Sequence, residues 1–525
     1  MLRPLSGSLG VAIRLFLGIA FGSGASGCTS LDDPAGGGQG YVPTPLPALT
    51  IAPLTTELTL APTKARLKSA EPRKPTDPLN VAALLEEGFG ETHEAPGEAT
   101  VVRTLDGQPP PKSGPNAKLL LRFAHLADFQ LADDESPIRL IQFDAPSTID
   151  GAFRPHEAHE CNIVNALVRT VNVVHETAPV AFVVLGGDNA DNAQSNEAHW
   201  VMDLLNGKDR VECDSGNDDD PVPGADNDPK DPFIAEGLHM PWYWVTGNHD
   251  VLRQGNFAVT SDVVALSVGD NSAGGARDWS QPGGPVITGE VIPDLERQAL
   301  FAKELYAMVA ADGDGHGLTA KDAASGKATY TFDVAGTQLR FLIVDTSSEL
   351  GSANGLLRRS HVDTVIEPAL AKAEKDGKWV ILAAHHQVSL IQDGSGLGGE
   401  KQADAVLGDE YLELLAKHPN VILNLAGHSH IHDVHPLVPK VGHTFWEMVS
   451  GSLADFRHQA RIIEVWDQDN GQLMVRATSV DYRTDGDAVA AEGRTISTVD
   501  YTSGWGLDGN GTTNDHNVEL WLPKP

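Results

Sequence analysis

The feature that most constrains the fold of this chain is a set of five apolar runs of strand length. Each run ends at polar residues of types that can bind metal. The runs are rich in Val, Ile, Leu and aromatic residues, which is typical of buried β-strands. In chain order they are LLLRFAHLAD, AFVVLGGD, PWYWVTGNHD, WVILAAHH and VILNLAGHSH. Ligands in open α/β sheets lie outside the carboxyl ends of the strands. We therefore expect the Asp, Asn and His side chains of the five ends to meet at one edge.

The first 27 residues predict an export signal. They contain Arg3, Arg14 and an apolar run over 15–21 that is too short to span a bilayer. The small residues before Cys28 resemble a bacterial lipoprotein processing site, at which the cysteine is lipidated. We therefore expect a bacterial outer-membrane or surface lipoprotein, in contact with the membrane only through a lipid on Cys28, or a periplasmic protein if Cys28 is not lipidated.

Composition shifts divide the rest of the chain into three segments. Residues 28–117 are rich in Pro and Gly and predict a tether and a poorly structured lead-in, apart from a short helix near 79–87. Residues 118–482 predict the main domain, with insertions at 207–239 and 251–290. Residues 483–525 predict an acidic tail rich in Gly and Asn, with one late strand candidate, NVELWL.

Helical patterns separate several of the apolar runs, which predicts β-α-β units. HEAHECNIVNALVRTVNVVHE, between the first two runs, has the apolar spacing of an amphipathic helix. TYTFDV and LRFLIVDT flank AGTQ and predict a hairpin. TFWEMVS, RIIEVWD and QLMVRATSV predict an antiparallel series.

Charge narrows the range of partners. The formal net charge is −34, and an acidic surface of that size repels phosphate backbones, which argues against nucleic-acid binding. It also argues against docking on anionic lipid through basic patches. A small phosphorylated substrate remains compatible, because bound divalent metals would invert the local field. The sequence leaves the oligomeric state open.

The two cysteines after Cys28 leave a disulfide open. Cys161 and Cys213 could pair in an oxidising compartment, but their positions on a helix and in an acidic loop do not decide it. Neither lies in a CxxC pair, so the sequence does not support a zinc finger.

The strand-end motifs form an ordered set. D-x-Q, G-D-x-x-D, G-N-H-D, H and G-H-x-H follow one another in that order, and the set resembles the calcineurin-like metallophosphoesterase superfamily over about residues 118–482. The resemblance implies an α/β fold, a two-layer β-sandwich flanked by α-helices. NADNAQSNEAHW and WEMVSGSLADFRHQARIIEV also look like a bacterial branch of the superfamily without a firmly assigned substrate.

The resemblance assigns a role to each matching position. Asp188 would bridge two divalent metals. The other proposed ligands form two groups, which are Asp128, Gln130 and His430 for one metal, and Asn248, His385 and His428 for the other. His249 would contact the phosphate and protonate the leaving oxygen, with Asp250 as the residue that orients it.

Gln130 departs from the pattern, since most members have His there. An amide oxygen is a harder and weaker donor than imidazole and favours Mn, Mg or Ca over Zn. D-x-Q also resembles the manganese-dependent ADP-ribose/CDP-alcohol diphosphatase branch, so Gln130 is compatible with activity. We expect two divalent ions, with Mn favoured and Fe, Zn, Mg and Ca as alternatives.

These roles predict a hydrolase for phosphate esters or anhydrides that uses a metal-activated hydroxide. Phosphomonoesters, phosphodiesters and nucleotide-type small substrates all remain open. The alternative is a surface lipoprotein that keeps the metallophosphoesterase fold as a binding module without catalysis, which Gln130 motivates. The intact remaining ligands and His249 favour the enzyme.

Other polar residues near the motifs are assigned more modest roles. We expect His386 to pack or support a neighbour rather than bind metal, because the family ligand aligns with His385. Asp191 is predicted to be a turn or supporting residue, and Asp345 a structural one. His199 and His316 are minor candidates for contact with substrate.

Overall fold

Two large β-sheets pack face to face in the computed structural model, which describes residues 42–68, 71–143, 153–216, 228–506, 508 and 511–525. The predicted export signal and Cys28 lie outside the described residues. The described strands, in chain order, are β1 (Leu58–Pro62), β2 (Thr92–Pro96), β3 (Val101–Thr104), β4 (Lys118–Leu126), β5 (Val183–Leu185), β6 (Trp242–Tyr243), β7 (Leu252–Arg253), β8 (Phe257–Ala258), β9 (Asn271–Arg277), β10 (Val286–Glu290), β11 (Tyr330–Asp333), β12 (Leu339–Val344), β13 (Leu357–Arg358), β14 (Trp379–Ala384), β15 (Ala405–Val406), β16 (Val421–Ala426), β17 (Asp433–Leu437), β18 (Phe445–Val449), β19 (Ala460–Asp467), β20 (Gln472–Val480) and β21 (Val518–Pro523).

Helices alternate with many of these strands. They are α1 (Pro78–Glu86), α2 (Glu160–Thr177), α3 (Ser195–Asn206), α4 (Ser261–Ser267), α5 (Ala302–Ala311), α6 (Ala320–Ser325), α7 (Arg359–His361), α8 (Glu367–Lys375), α9 (Gly408–Leu415), α10 (Ala488–Thr502) and α11 (Thr513–His516). A π-helical turn over Val362–Ile366 joins α7 to α8. Within the described ranges, no helix combines the length and the apolar character that crossing a membrane requires.

The order of strands places four of the five apolar runs inside the two sheets and the third run, which contains β6, at the edge of one sheet. The seven-stranded sheet has the order β3-β21-β20-β19-β4-β5-β6, and the six-stranded sheet has the order β11-β12-β14-β16-β18-β17. Strands β4, β5 and β6 are parallel neighbours, as are β14 and β16. The carboxyl ends of the parallel neighbours in each sheet therefore lie at one edge.

Burial on both faces explains why the runs are continuously apolar. In β14, Ile381 and Ala383 face the other sheet, while Val380 and Leu382 face the helices. The helices α2 and α3 cover the outer face of the seven-stranded sheet, and α8 and α9 cover that of the six-stranded sheet. The predicted two-layer sandwich flanked by helices is confirmed.

Both terminal segments are more ordered than the sequence suggested. The lead-in, expected to be poorly structured, contains three strands as well as the expected short helix, and β3 pairs with β21 in parallel register. The tail supplies α10, and its strand candidate β21 lies between β20 and β3. The main fold therefore extends beyond the expected limits of 118 and 482.

One predicted pairing is wrong and one is confirmed. The expected antiparallel series splits between the sheets, because β18 lies parallel to β16 while β19 and β20 pair in the other sheet. The hairpin of β11 and β12 is antiparallel as expected. Apolar content alone did not reveal that the chain crosses from one sheet to the other after β18.

Both insertions attach to the segment that follows β4. Lys230 Nζ lies 2.7 Å from Asp134 Oδ2, and the indole of Trp279 donates a hydrogen bond to the same carboxylate. A disulfide between Cys161 of α2 and Cys213 adds a covalent link to the first insertion. The structure thus pairs the two cysteines that the sequence left undecided, and both insertions border the strand-end loops.

Candidate metal centre

The strand-end loops bring the proposed ligands of both sheets together. Asp128 follows β4, Asp188 follows β5 and Asn248 follows β6, while His385 and His428 follow β14 and β16. Carboxylate and imidazole ligand atoms of Asp128, Asp188 and His385 all lie within 4.8 Å of one another. The meeting of strand ends expected from the sequence is therefore present in the fold.

Glycines in the motifs permit this close approach. A Cβ on Gly247 would lie 2.0 Å from Asp188 Oδ1, and a Cβ on Gly427 would lie 2.6 Å from Asp128 Oδ2. Real Cβ atoms do not come so close to another heavy atom. The G-N-H-D and G-H-x-H motifs thus need glycine because neighbouring carboxylates occupy the space of a side chain.

Several candidate ligands have left-handed backbone conformations, which are uncommon for residues other than glycine. Such conformations persist only where the surrounding structure fixes them, and they concentrate at functional sites. The residues are Asp128 (φ 57°), Gln130 (φ 42°), Asp188 (φ 52°), His428 (φ 71°) and His430 (φ 60°). The loops therefore hold these side chains at some cost in backbone energy.

One group of donors converges on His385. Its Nε2 lies 3.1 Å from Asn248 Oδ1, 3.1 Å from Asp188 Oδ2 and 3.2 Å from His428 Nδ1. Hydrogen bonds to backbone carbonyls orient two of these side chains, since His385 Nδ1 donates to Gly186 and Asn248 Nδ2 donates to Gly255. The remaining ring nitrogen, His385 Nε2, and the remaining amide oxygen, Asn248 Oδ1, face each other across the site.

The second group gathers around Asp128. Its carboxylate accepts a 2.9 Å hydrogen bond from the His428 backbone N–H, and its Oδ1 lies 3.6 Å from His430 Nε2. His430 Nδ1 donates to Asp455 Oδ2 at 2.5 Å. Gln130 Oε1 instead accepts a 2.8 Å hydrogen bond from Arg154. The amide oxygen expected to bind metal thus already has a cationic partner.

The donors fit divalent cations. They combine carboxylate, amide and imidazole atoms, which suit Mn, Fe and Zn among others. Three of the atoms in the set of seven proposed ligands lie close together, namely His385 Nε2, His428 Nδ1 and Asn248 Oδ1. A single ring proton cannot form hydrogen bonds that occupy the lone pairs of all three. A cation between these atoms would satisfy every lone pair.

Burial and neighbouring charges shift the pKa values of this cluster. Burial, with help from Asp188, raises the pKa of Asp128 to about 6, against the opposing effect of nearby histidines. Burial would lower the pKa of His385, but the Asp188 carboxylate outweighs it and raises that pKa to about 9. A proton and a metal would therefore compete for the position between His385 and Asp188.

The hydrogen-bond partner of the His249 ring is not the expected residue. Its Nδ1 donates to the Asp191 carbonyl at 2.8 Å and lies 3.2 Å from Asp191 Oδ1. Asp250, expected to orient the ring, instead accepts hydrogen bonds from the backbone N–H groups of Asn189, Ala190 and Gly247. Asp191 is thus the orienting residue, and Asp250 joins two strand-end loops.

Both ring nitrogens of His386 have hydrogen-bond partners outside the two donor groups. Its Nδ1 lies 2.8 Å from the Thr346 hydroxyl and its Nε2 donates to the Ala353 carbonyl at 2.8 Å. Its ring also approaches His428, with 4.6 Å between centroids, and ligand atoms of His385, His386 and His428 lie within 4.8 Å of one another. His386 therefore lies beside the donors, while both of its nitrogens have hydrogen-bond partners of their own.

The remaining candidates lie outside the two donor groups. Asp345 accepts from Tyr306 and from the Ala328 backbone, which is a structural role. His316 stacks on Trp242, with 3.3 Å between ring centroids, and His199 lies on α3. Sequence reasoning did not single out Arg154 or Asp455, and only the later segment SLADFRHQ offered a signal for the carboxylate.

Carboxylates and imidazoles meet at the strand ends of a helix-flanked β-sandwich and form a site of the class that can hold divalent metal ions. The chain belongs to the calcineurin-like phosphoesterase family, which it matches over residues 121–432. Curated proteins gave no match.

Solved structures similar to this chain include the following two. One is a dimetal phosphatase from Danio rerio, with 12% identity, a TM-score of 0.36, and coverage of 70% of this chain and 100% of that one. The other is GAP50 of Plasmodium, described as the anchor in the inner membrane complex, with 13% identity, a TM-score of 0.31, and coverage of 72% and 95%.

Proposed function

We propose that the protein hydrolyses esters or anhydrides of phosphate in a small substrate, with two divalent metal ions. The position of Asp188 carries the proposal. Its carboxylate contacts His385 of one donor group and lies within 4.8 Å of Asp128 of the other. A carboxylate has one oxygen for each of two ions, which no other residue type at the strand ends offers so directly.

The metals, when bound, would supply Lewis-acid stabilisation of phosphoryl oxygens and a nucleophilic water of lowered pKa. The chain's own contribution to the leaving group is His249. Its Nδ1 is engaged by Asp191, so Nε2 carries the proton that can pass to the leaving oxygen. Burial opposes a charged ring, but Asp188 and Asp191 raise the pKa of His249 to about 9.

A non-catalytic binding module is the second candidate, and Gln130 is the observation in its favour because Arg154 occupies its oxygen. Two features favour the enzyme. The group around His385 keeps four convergent donors, and His249 has a carboxylate partner that keeps it protonated. Binding without chemistry needs no proton donor at this position.

We propose Mn as the favoured metal, since the amide oxygens of Asn248 and Gln130 are hard donors. The acidic chain, with a net charge of −34, supports a small substrate rather than a nucleic acid.

The test combines metal analysis with turnover. Purified protein loaded with Mn is expected to hold two ions per chain and to hydrolyse bis(p-nitrophenyl) phosphate or one of a panel of phosphomonoesters and nucleotide diphosphate derivatives. Asp188→Asn should lose metal and at least about 100-fold in kcat/KM, a loss typical of a missing electrostatic group in an active site. Asp345→Asn, at a strand end outside both donor groups, is the matched control. Full activity of a folded Asp188→Asn variant, or absence of metal binding in the wild type, would refute the proposal.

We also propose that the protein is exported. The N-terminal signal and the small residues before Cys28 support this, and a disulfide is typical of oxidising compartments. Mass spectrometry of the mature N-terminus tests it, since a lipidated Cys28 is expected at that position and an intact Met1 is not.

A further inference from the structure

A buried guanidinium lies directly behind one of the two donor groups. Arg154 is 5% exposed. Its Nη2 donates to Gln130 Oε1 at 2.8 Å, and its Nε donates to Asp455 Oδ1 at 2.8 Å. One cation therefore contacts a candidate ligand and, at the same time, a carboxylate that supports another.

Asp455 extends the contact to His430. Its second oxygen accepts the His430 Nδ1 proton at 2.5 Å, which leaves Nε2 facing Asp128 at 3.6 Å. A carboxylate in this position normally raises the basicity of a metal-binding imidazole. Arg154 pairs with the same carboxylate and so offsets part of its charge.

The guanidinium acts against a cation at this position in two ways. It withdraws electron density from the amide oxygen of Gln130, which makes that oxygen a poorer ligand. It also places a fixed positive charge one atom beyond that oxygen, and in a buried setting such repulsion is strong. The other donor group is arranged differently, since Asn248 and His385 are oriented by backbone carbonyls of Gly255 and Gly186, which carry no net charge.

We propose that Arg154 is a positioning residue that weakens metal binding by Asp128, Gln130 and His430, so that the two metals bind in sequence. The group of Asn248, His385 and His428, with Asp188, fills first. The donor group beside Arg154 binds its metal only at higher concentrations of free metal. Formation of the dinuclear state therefore depends on that concentration. This inference rests on the proposed function.

The opposite role for Arg154 makes a distinct prediction. A guanidinium that merely holds Gln130 in place as a ligand would strengthen binding, and its loss would weaken the second metal. A guanidinium that competes for the oxygen weakens binding, and its loss would strengthen the second metal. The direction of the change separates the two roles, whereas a purely structural ion pair would change neither binding step.

The experiment measures Mn²⁺ binding to metal-free full-length protein, with free Mn²⁺ followed by electron paramagnetic resonance. Wild type is expected to show two steps whose dissociation constants differ by at least about tenfold, given the unequal charge around the two groups. Arg154→Gln, which removes the charge but can still donate to Asp455, should tighten the weaker step by at least about tenfold and leave the tighter step unchanged. Arg154→Lys keeps the charge and is the matched control. Its two dissociation constants should differ about as much as those of the wild type.

Each outcome decides one of the two proposals. No Mn²⁺ binding by wild type would contradict the proposed function itself. Two equal steps in wild type, or a second step that is weaker or unchanged in Arg154→Gln, would overturn the role of Arg154 and leave the dinuclear function standing. If Arg154→Gln does not fold, equal steps in the wild-type isotherm still overturn the role of Arg154.

Discussion

At the scale of single residues, His249 depends on a carboxylate that its own motif does not contain. Asp191 lies in the loop after β5 and engages Nδ1 through both its carbonyl and its carboxylate. The ring is largely buried, and burial favours the neutral form. Because the nearby carboxylates outweigh burial, the pKa of His249 rises to about 9. The proton needed by a leaving group is therefore present at neutral pH.

The pH profile of turnover tests this dependence. A general acid works while protonated, so kcat/KM should fall as pH rises through the pKa of His249. Asp191→Asn removes a raising influence and should move this alkaline limb to lower pH by about one unit or more, as loss of a close opposite charge does.

Asp312→Asn provides the control for that shift. Asp312 Oδ2 lies 2.9 Å from His316 Nε2, so the variant removes the same kind of carboxylate–imidazole contact away from the donors. Its alkaline limb should coincide with that of the wild type. An Asp191→Asn limb that stays in place would show that Asp191 does not set the protonation of His249.

The sequence predicted the donors better than it predicted what holds them. Asp128, Asn248 and His428 follow apolar runs, and that position can be read along the chain. Arg154 could not be found in this way, because its partners Gln130 and Asp455 are 24 and 301 positions away. Such contacts depend on the packing of distant segments, which local patterns do not encode.

At the scale of secondary structure elements, Asp250 joins the loops that follow two parallel strands. Its Oδ1 accepts from the backbone of Asn189 and Ala190 after β5, and its Oδ2 accepts from the backbone of Gly247 after β6. Asp188 and Asn248 lie in these same loops. The relative position of two candidate ligands thus depends on one buried carboxylate.

Loss of this carboxylate should destabilise the protein as a whole. Asp250→Ala leaves three buried N–H groups without an acceptor, and each such group costs about 1–3 kcal/mol. We therefore expect the free energy of unfolding to fall by at least about 3 kcal/mol in denaturant titrations of metal-free protein. Asp250→Asn retains one acceptor oxygen and should lose less. Equal stability of the wild type and Asp250→Ala would rule out the bridging role.

Elements were predictable where burial leaves a strong pattern. The run of β14 is apolar at every position because both its faces are covered, and its strand end was found correctly. β3, with the sequence VVRT, is short and only partly buried, so it did not stand out in a Pro-rich segment. The sheet assignment of β18 failed for another reason, since partner choice depends on the rest of the sheet.

At the scale of the whole molecule, the two ends of the described chain close the seven-stranded sheet together. β3 of the lead-in and β21 of the tail pair in parallel, and Glu98 next to β3 accepts a 2.6 Å hydrogen bond from His516 next to β21. Arg457 pairs with the same carboxylate at 3.1 Å. Segments that look like a linker and a tail in the sequence thus complete the sheet that carries Asp128 and Asp188.

The disulfide extends this long-range linkage to the outer layer of the fold. Cys161 lies on α2, which packs on the seven-stranded sheet, and Cys213 lies in the insertion that reaches Asp134 in the segment after β4. With a sequence separation of 52, the loop-closure model gives a stabilisation of about 4 kcal/mol.

Replacing both cysteines by Ala should lower the free energy of unfolding by up to about that amount in denaturant titrations. Dithiothreitol should destabilise the wild type similarly and leave the double variant unchanged, because only the wild type has a bond to reduce. A wild type indifferent to dithiothreitol, with all its cysteines reactive towards a thiol reagent, would show that this bond does not form.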